Sequence, residues 1–137
     1  MSTDFEFVEQ IPSAADYRRL RTAVGWANLN DLVEAGLANS LFSICVLQGG
    51  QVVACGRVIG DGAIYFYIQD IIVLPQFQAM GLGRGIMDRV MQYIRSHAVE
   101  NSFIGLMAAK DVAGFYERYG FQKRPVDRPG MYMMWRA

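Results

Sequence analysis

The sequence predicts a mixed α+β fold in which helices flank a mostly antiparallel central sheet. Two apolar, β-rich runs at 41–48 and 51–60 are joined by a Gly-Gly pair, which is typical of a β-hairpin. An Asp-Gly turn then leads into a third run at 63–74, which is apolar on both faces and is therefore expected to be central in the sheet. Beyond it, apolar residues recur at three- and four-residue steps to about Ala98, which indicates one long amphipathic helix.

Shorter elements complete the chain on both sides of this central part. Residues 5–10 alternate loosely enough to favour a short strand, and Ser13 is expected to cap the helix that follows. The predicted order is β-α-α-β-β-β-α-β-α-β-β, with the elements at 5–10, 13–24, 30–39, 41–48, 51–60, 63–74, 82–98, 102–109, 111–120, 121–124 and 131–136.

Length and composition narrow the class of protein. A chain of 137 residues predicts a single domain spanning 1–137. Basic and acidic residues number 13 each, so the zero formal net charge argues against a general nucleic-acid binder. The sequence contains neither a long apolar run nor a signal-peptide pattern, so we expect no membrane span and a cytoplasmic location. Cys45 and Cys55 are expected to be buried, reduced thiols, and no metal site is predicted.

The segment PQFQAMGLGRGIM, residues 75–87, places three glycines where a strand should lead into the long helix. A P-loop requires Lys and Ser or Thr after its glycines, whereas Arg84 and Gly85 follow here. A dinucleotide-binding turn requires Gly or Ala where this chain has Ile86, and it requires a parallel βαβ unit. Two interpretations remain: the backbone N–H groups of the segment bind an anion, or the glycines only allow the helix to pack closely on the strand. We expect Gly85 to serve close packing in either case.

The pattern Gln/Arg-x-x-Gly-x-Gly/Ala decides between them, since Gln78 to Gly83 matches it. At this point the chain resembles the GCN5-related N-acetyltransferase (GNAT) family, which binds acetyl-coenzyme A at this loop. A second resemblance is GFYERYGF at 114–121, similar to the family's Phe-Tyr helix and the Gly-Phe after it. The resemblance implies a GNAT-like fold over nearly the whole chain and an acetyl-CoA-dependent N-acetyltransferase.

The resemblance also implies which residues bind the cofactor. In the family the pantetheine arm pairs with the main chain of the central strand, and the loop binds the pyrophosphate. Ten positions are assigned in this way: Ile71, Ile72, Val73, Gln78, Ala79, Met80, Gly81, Leu82, Gly83 and Arg84. Two positions depart from the family's pattern. Ala109 stands where many members carry Asn, and Ala79 where Gly is commoner, which predicts that residue 79 does not need a positive φ.

Two residues are candidates for proton transfer. The resemblance implies that Tyr116 protonates the departing thiolate, although a tyrosine on a short amphipathic helix also suits simple core packing. Asp70 is the one charge in its apolar run. It is either the general base that deprotonates the acceptor amine or a buried carboxylate that is paired with an arginine or the backbone, and both remain open.

The acceptor is the least determined part of the prediction. Aromatic and apolar residues near the expected site suggest a substrate-binding group: Trp26, Tyr65, Tyr67 and Met131. We expect a primary amine on a small molecule, with a protein lysine or N-terminus, or a non-catalytic acyl-CoA-binding module, as alternatives. The apolar end MYMMWRA either forms a homodimer surface or is an ordinary buried final strand.

Overall fold

The computed structural model describes residues 4–27 and 30–136. They divide after Leu106 into two compact units, residues 1–106 and 107–137; that they act as one domain stays a prediction. The first unit contains β1 (Glu6–Val8), α1 (Ala14–Ala23), α2 (Val33–Ala38), β2 (Phe42–Gln48), β3 (Gln51–Gly60), β4 (Tyr65–Val73), α3 (Leu82–His97) and β5 (Phe103–Gly105). The second contains α4 (Ala113–Glu117).

The sheet of the first unit is mixed and mostly antiparallel, as predicted. Its five strands lie in the order β1-β2-β3-β4-β5. Neighbours are antiparallel from β1 to β4, whereas β4 and β5 are parallel because α3 forms a crossover between them. The run at 63–74, predicted to be central, has a described strand on both sides only at Phe66 and Tyr67.

Helix α3 packs closely on the sheet because small residues let it approach. Its buried face consists of Leu82, Ile86, Met87, Val90 and Ile94. A Cβ atom on Gly85 would lie 2.5 Å from Cζ of Phe7, so a larger residue there would require the Phe7 ring to move. Gly85 therefore serves helix–sheet packing, as the sequence indicated.

Helices α1 and α2 form a small core of their own. Tyr17 packs with Val33 and Leu37, and all three are buried. The expected cap of α1 is confirmed, since Ser13 Oγ accepts a hydrogen bond of 3.0 Å from the backbone N–H of Asp16.

The end of the chain differs from the prediction. No strand is present at 121–124 or 131–136, and the strand and helix predicted at 102–109 and 111–120 shorten to β5 and α4. A strand requires a hydrogen-bonding neighbour, and none pairs with these two segments among the described residues. The apolar side chains of 131–135 are instead 67–89% exposed. No helix in the described ranges is long and apolar enough to cross a membrane.

Candidate active site

Strand β4 contains a bulge halfway along its length. Cys55 of β3 faces Ile72 and Arg57 faces Gln69, so the two residues 70 and 71 lie opposite the single Gly56. Asp70 has φ 59°, in the left-handed region. A bulge of this kind bends its strand and increases its twist.

The bulge lies where β4 loses its neighbour on one side. β5 pairs only with Tyr65–Tyr67, so from Ile68 to Val73 no described strand pairs with β4 on that side. Main-chain groups that point away from β3 along this stretch form an open edge, which an extended ligand can use as a strand would. The resemblance assigned Ile71, Ile72 and Val73 to this role, and all three lie on the open edge.

The start of α3 has no side-chain cap. Its N-cap, Gly81, is left-handed with φ 83°, and the first turn carries no acidic residue. The N–H of Gly85 bonds to the Gly81 carbonyl, so the helical hydrogen bonds begin there and the N–H groups of the first turn point out of the N-terminus. Such groups at a helix N-terminus attract an anion. Gly81 is required here by conformation, because nothing lies within 4 Å of where its Cβ would be.

The prediction for Ala79 is wrong. Its φ is 64°, so this loop places both Ala79 and Gly81 in the left-handed region within three residues. An alanine pays a steric penalty there that glycine avoids. Gln78 closes the loop, since its Nε2 donates a 3.1 Å hydrogen bond to the Val73 carbonyl at the end of β4. The side chain of Gln78 thereby ties the loop to the strand.

Asp70 is the centre of a buried hydrogen-bonded cluster. Its Oδ2 accepts from Tyr17 Oη at 2.7 Å and from Arg57 Nε at 2.8 Å. Its Oδ1 accepts from Gln69 Nε2 at 3.2 Å and from Arg21 Nη1 at 3.5 Å. The carboxylate side chain is 1% exposed and faces two guanidinium groups. Of the two interpretations left open, these contacts favour the paired carboxylate over the general base, because four donors already occupy both oxygens.

Tyr17, Arg21 and Arg57 were not singled out from the sequence. Their signal was weak but present: Arg57 is the one charge in the run at 51–60, and Arg21 lies four residues after Tyr17, on the same face of α1. Burial, reinforced by the hydrogen bond to Asp70, raises the pKa of Tyr17 to about 12, so this phenol stays protonated and continues to donate.

Tyr116 lies on α4, in the second unit. Its ring packs edge-on against Phe115 and Phe121, with ring centroids 5.1 and 6.4 Å away. Burial raises the pKa of the phenol, which is therefore protonated at neutral pH. These features suit a proton donor and a packed aromatic alike, and the catalytic role of Tyr116 stays a prediction.

The four predicted substrate-binding residues occupy different surroundings. Tyr65 and Tyr67 lie two residues apart on β4, Tyr65 exposed beside Phe103 and Tyr67 half-buried. Trp26 follows α1, with the guanidinium of Arg21 5.3 Å from its ring centroid. Met131 is exposed in the second unit. No group of three or more potential metal ligands occurs in the part of the chain that the structure describes.

Comparison with known proteins agrees with this geometry. The family model for the acetyltransferase (GNAT) domain matches residues 39–123, more than half of the chain. This chain belongs to the GNAT family. A structure of a probable acetyltransferase from methicillin-resistant Staphylococcus aureus superimposes with a TM-score of 0.91 at 33% identity, covering 96% of this chain and 100% of that one.

Two relatives in the GNAT family indicate the range of its members. The uncharacterized N-acetyltransferase ycf52 of Pyropia yezoensis is 31% identical over 122 residues, which cover 85% of this chain and 69% of the relative. The chloroplastic serotonin N-acetyltransferase 2 of Oryza sativa subsp. japonica is 39% identical over 84 residues, or 61% of this chain. This chain spans only 41% of that second relative.

Proposed function

We propose that the protein is an acetyl-CoA-dependent N-acetyltransferase that transfers the acetyl group directly to a primary amine of a small molecule. Family membership supports acetyl transfer. The observation that carries the proposal is the uncapped N-terminus of α3, which follows directly on the open edge of β4. An anionic head and an extended arm on one ligand would use both features.

The residues of the loop fit coenzyme A. The N–H groups of Leu82, Gly83 and Arg84 would hold the pyrophosphate, and the absence of a Cβ on Gly81 and Gly83 would let it approach the main chain. The side chain of Arg84 would add a charge-assisted hydrogen bond. The open edge of Ile71–Val73 would hold the pantetheine arm. Ala79 and Met80 complete the loop between these two parts of the ligand.

The proposed reaction is one acyl transfer together with the proton transfers that accompany it. Acetyl-CoA supplies the acetyl thioester. A main-chain N–H after the β4 bulge would hydrogen-bond the carbonyl oxygen as the amine nitrogen forms its bond to carbon and the carbon–sulfur bond breaks. Tyr116 would donate its proton to the sulfur and then regain one from water. The amine's own proton would leave to water, because Asp70 is already paired with Arg57.

A small-molecule acceptor is proposed for two reasons. The protein carries no net charge, and so lacks the acidic field that would attract the basic segments in which acceptor lysines commonly lie. One relative is named as a serotonin N-acetyltransferase, which places arylalkylamines among the amines worth testing. Trp26, Tyr65 and Tyr67 would supply aromatic contacts. Transfer to a protein lysine or N-terminus remains the alternative.

A coenzyme A release assay tests the proposal. The panel includes arylalkylamines, polyamines, amino acids and lysine peptides, and the same samples are titrated with coenzyme A by calorimetry. We expect binding together with turnover of at least one small amine. Turnover of peptides alone would favour the protein-modifying alternative, binding without any turnover would favour the acyl-CoA-binding module, and an absence of binding would contradict the loop assignment.

We also propose a homodimer and a cytoplasmic location, both of which stay predictions. The exposed apolar run at 131–135 supports the first, since five consecutive large apolar side chains in water favour association. Sedimentation equilibrium of the full chain and of a variant in which Met131, Met133 and Trp135 are replaced by Ser tests it, and a wild-type chain that stays monomeric at high concentration would contradict it.

A further inference from the structure

Asp70 has a backbone conformation that its position in a strand does not favour. A non-glycine residue with φ 59° is strained, and strain persists only where the surroundings hold it in place. Aspartate tolerates the left-handed region better than most residues, but a residue inside a β-strand normally has extended backbone angles. Contacts from elsewhere in the fold are therefore needed to hold Asp70 in this conformation.

Three elements converge on the Asp70 side chain and supply that cause. Tyr17 and Arg21 reach it from α1, Arg57 from β3, and Gln69 from the preceding position of β4. Each donor fixes one direction of approach, and the carboxylate satisfies all four from the position that the bulge gives it. The cluster thus over-determines the backbone at Asp70.

Arg57 is the strongest of these partners and is itself fixed. Its Nε lies 2.8 Å from the carboxylate, against 3.5 Å for the nitrogen of Arg21. Its Nη1 donates to the Gly36 carbonyl and to Ser40 Oγ, both at 3.3 Å, at the end of α2. The guanidinium therefore joins the bulge to the α1–α2 side of the sheet.

The side of the bulge that faces α3 is also closely packed. A Cβ on Gly56, opposite the bulge, would lie 2.6 Å from Cγ2 of Ile86 and 2.7 Å from Cδ1 of Ile71. The thiol of Cys55 donates to the Asp70 carbonyl at 3.5 Å. Ile71 is thereby held against α3 while Asp70 is held towards α1, which fixes the main chain between them.

From these contacts we propose that Asp70 and Arg57 are positioning residues: their buried ion pair holds the β4 bulge and so orients the main chain of Ile71–Val73 on the open edge. The inference rests on the proposed function, because that edge matters through the thioester it would hold. In this role Asp70 supports catalysis by orienting the main chain and transfers no proton. The pair acts through the backbone and touches neither substrate.

Four variants separate positioning from base catalysis: Asp70→Ala, Asp70→Asn, Arg57→Gln and the double variant Asp70→Asn with Arg57→Gln. The double variant removes both charges of the closer pair, while Arg21, whose side chain is 14% exposed, keeps its hydrogen bond to the Ala27 carbonyl. It keeps an amide donor and an amide acceptor, and asparagine also tolerates the left-handed conformation. The matched control is Asp16→Asn with Arg19→Gln, which removes a part-exposed ion pair of 3.1 Å from α1. Each protein is assayed for kcat, for KM of both substrates and for its pH profile.

Positioning predicts that Asp70→Ala lowers kcat/KM by about 100-fold, the size of effect expected from an ångström-scale displacement of a reacting group. Asp70→Asn leaves two guanidinium groups beside a neutral amide, and Arg57→Gln leaves Asp70 only the longer contact to Arg21, so both variants should lose activity. The double variant should recover to within about tenfold of the wild type, with an unchanged pH profile. A general base at Asp70 predicts the opposite: the double variant would be as inactive as Asp70→Asn although folded, because a base contributes about 100-fold or more.

A readout that needs no ligand keeps the two proposals apart. Amide hydrogen exchange across Ile71–Val73, measured by NMR at the N–H groups that bond to β3, should accelerate in Asp70→Ala and stay near wild-type rates in the double variant and in the control. Unchanged exchange in folded Asp70→Ala would overturn the positioning role. If the wild type fails to bind coenzyme A, the proposed function falls while the exchange data still decide whether the ion pair holds the bulge.

Discussion

Helices α1 and α3 begin in opposite ways, although both pack against the same sheet. α1 starts with Ser13, whose side chain accepts from the Asp16 N–H, and Asp16 puts a negative charge in the first turn. α3 starts with Gly81, which has no side chain to cap the helix, and its first turn carries Arg84 instead of an acid. A side chain caps the start of α1, whereas no side chain caps the start of α3.

The difference suggests separate roles for the two helix starts: the start of α1 contributes to stability, and the start of α3 is suited to binding an anion. With glycine as its N-cap, α3 forgoes roughly a few tenths of a kcal/mol that a Ser or Asp cap would provide. A positive charge in the first turn is also unfavourable beside the positive end of the helix dipole. Both features become favourable once an anion binds there. α3 therefore has the start expected of a helix whose cap is a ligand, and α1 serves as its internal reference.

The largest expected effect comes from supplying α3 with an acid of its own. Gly83 and Ala15 both occupy the second position of their helices. Gly83→Asp should reduce coenzyme A affinity by about 1000-fold, since the carboxylate takes the N–H groups and repels the pyrophosphate. Ala15→Asp should leave affinity unchanged and stabilise α1 by about 0.3–1 kcal/mol. Calorimetric titration with coenzyme A measures the first effect, and urea unfolding the second.

Gly83→Ala serves as the control for bulk. It adds a Cβ without a charge, so any loss of affinity that it shows is steric and is subtracted from that of Gly83→Asp. Equal affinity of folded Gly83→Asp and wild type would remove the loop from the coenzyme A site.

A second prediction tests whether binding and bond breaking are separate tasks. If the start of α3 only binds, then Tyr116→Phe should leave coenzyme A affinity within about twofold while lowering kcat by about 100-fold, the usual contribution of a general acid. The pKa of Tyr116 is raised by burial, so the proton is present at neutral pH and is lost only above the ordinary tyrosine value of 10.0. The kcat–pH profile should therefore keep its plateau to higher pH than an exposed tyrosine would allow. A variant with unchanged kcat across pH would leave Tyr116 as a packing residue.

How much of this could be predicted from the sequence depends on the range of the interaction involved. The order of elements up to α4 and the cap at Ser13 follow from local periodicity and local hydrogen bonds. The glycine loop was recognised from six adjacent residues, Gln78 to Gly83. The partners of Asp70 could not be found in this way, because Tyr17 is 53 residues away and only the fold brings the two together. The left-handed conformation of Ala79 was missed because residue type is only a weak guide where loop closure dictates φ.

A third prediction, with a smaller expected effect, compares substitutions at the N-cap residue of each helix, Ser13 and Gly81. Ser13→Ala should lower the free energy of unfolding by about 1 kcal/mol through the lost cap and leave coenzyme A affinity intact. Gly81→Ala should lower it by about 1–2 kcal/mol, because alanine must adopt φ near 83°. Only Gly81→Ala should also weaken coenzyme A binding. Urea denaturation with parallel calorimetry distinguishes them, and equal losses of affinity in both variants would mean that the two helix starts do not differ in function.

The smallest expected effect has opposite signs in the loop before α3 and in α1. Ala79→Gly removes a left-handed alanine and so gains about 1–2 kcal/mol of relieved strain. It also loses about 0.4–1 kcal/mol to the greater freedom of glycine in the unfolded chain. The net result should be a gain of about 0.5 kcal/mol in the free energy of unfolding. Ala15→Gly, in the ordinary helical region of α1, has no strain to relieve and should lose up to about 1 kcal/mol. Unfolding curves of the two variants therefore move in opposite directions from the wild type. If both moved downwards by the same amount, the left-handed turn at 79 would not be a property of the folded loop in solution.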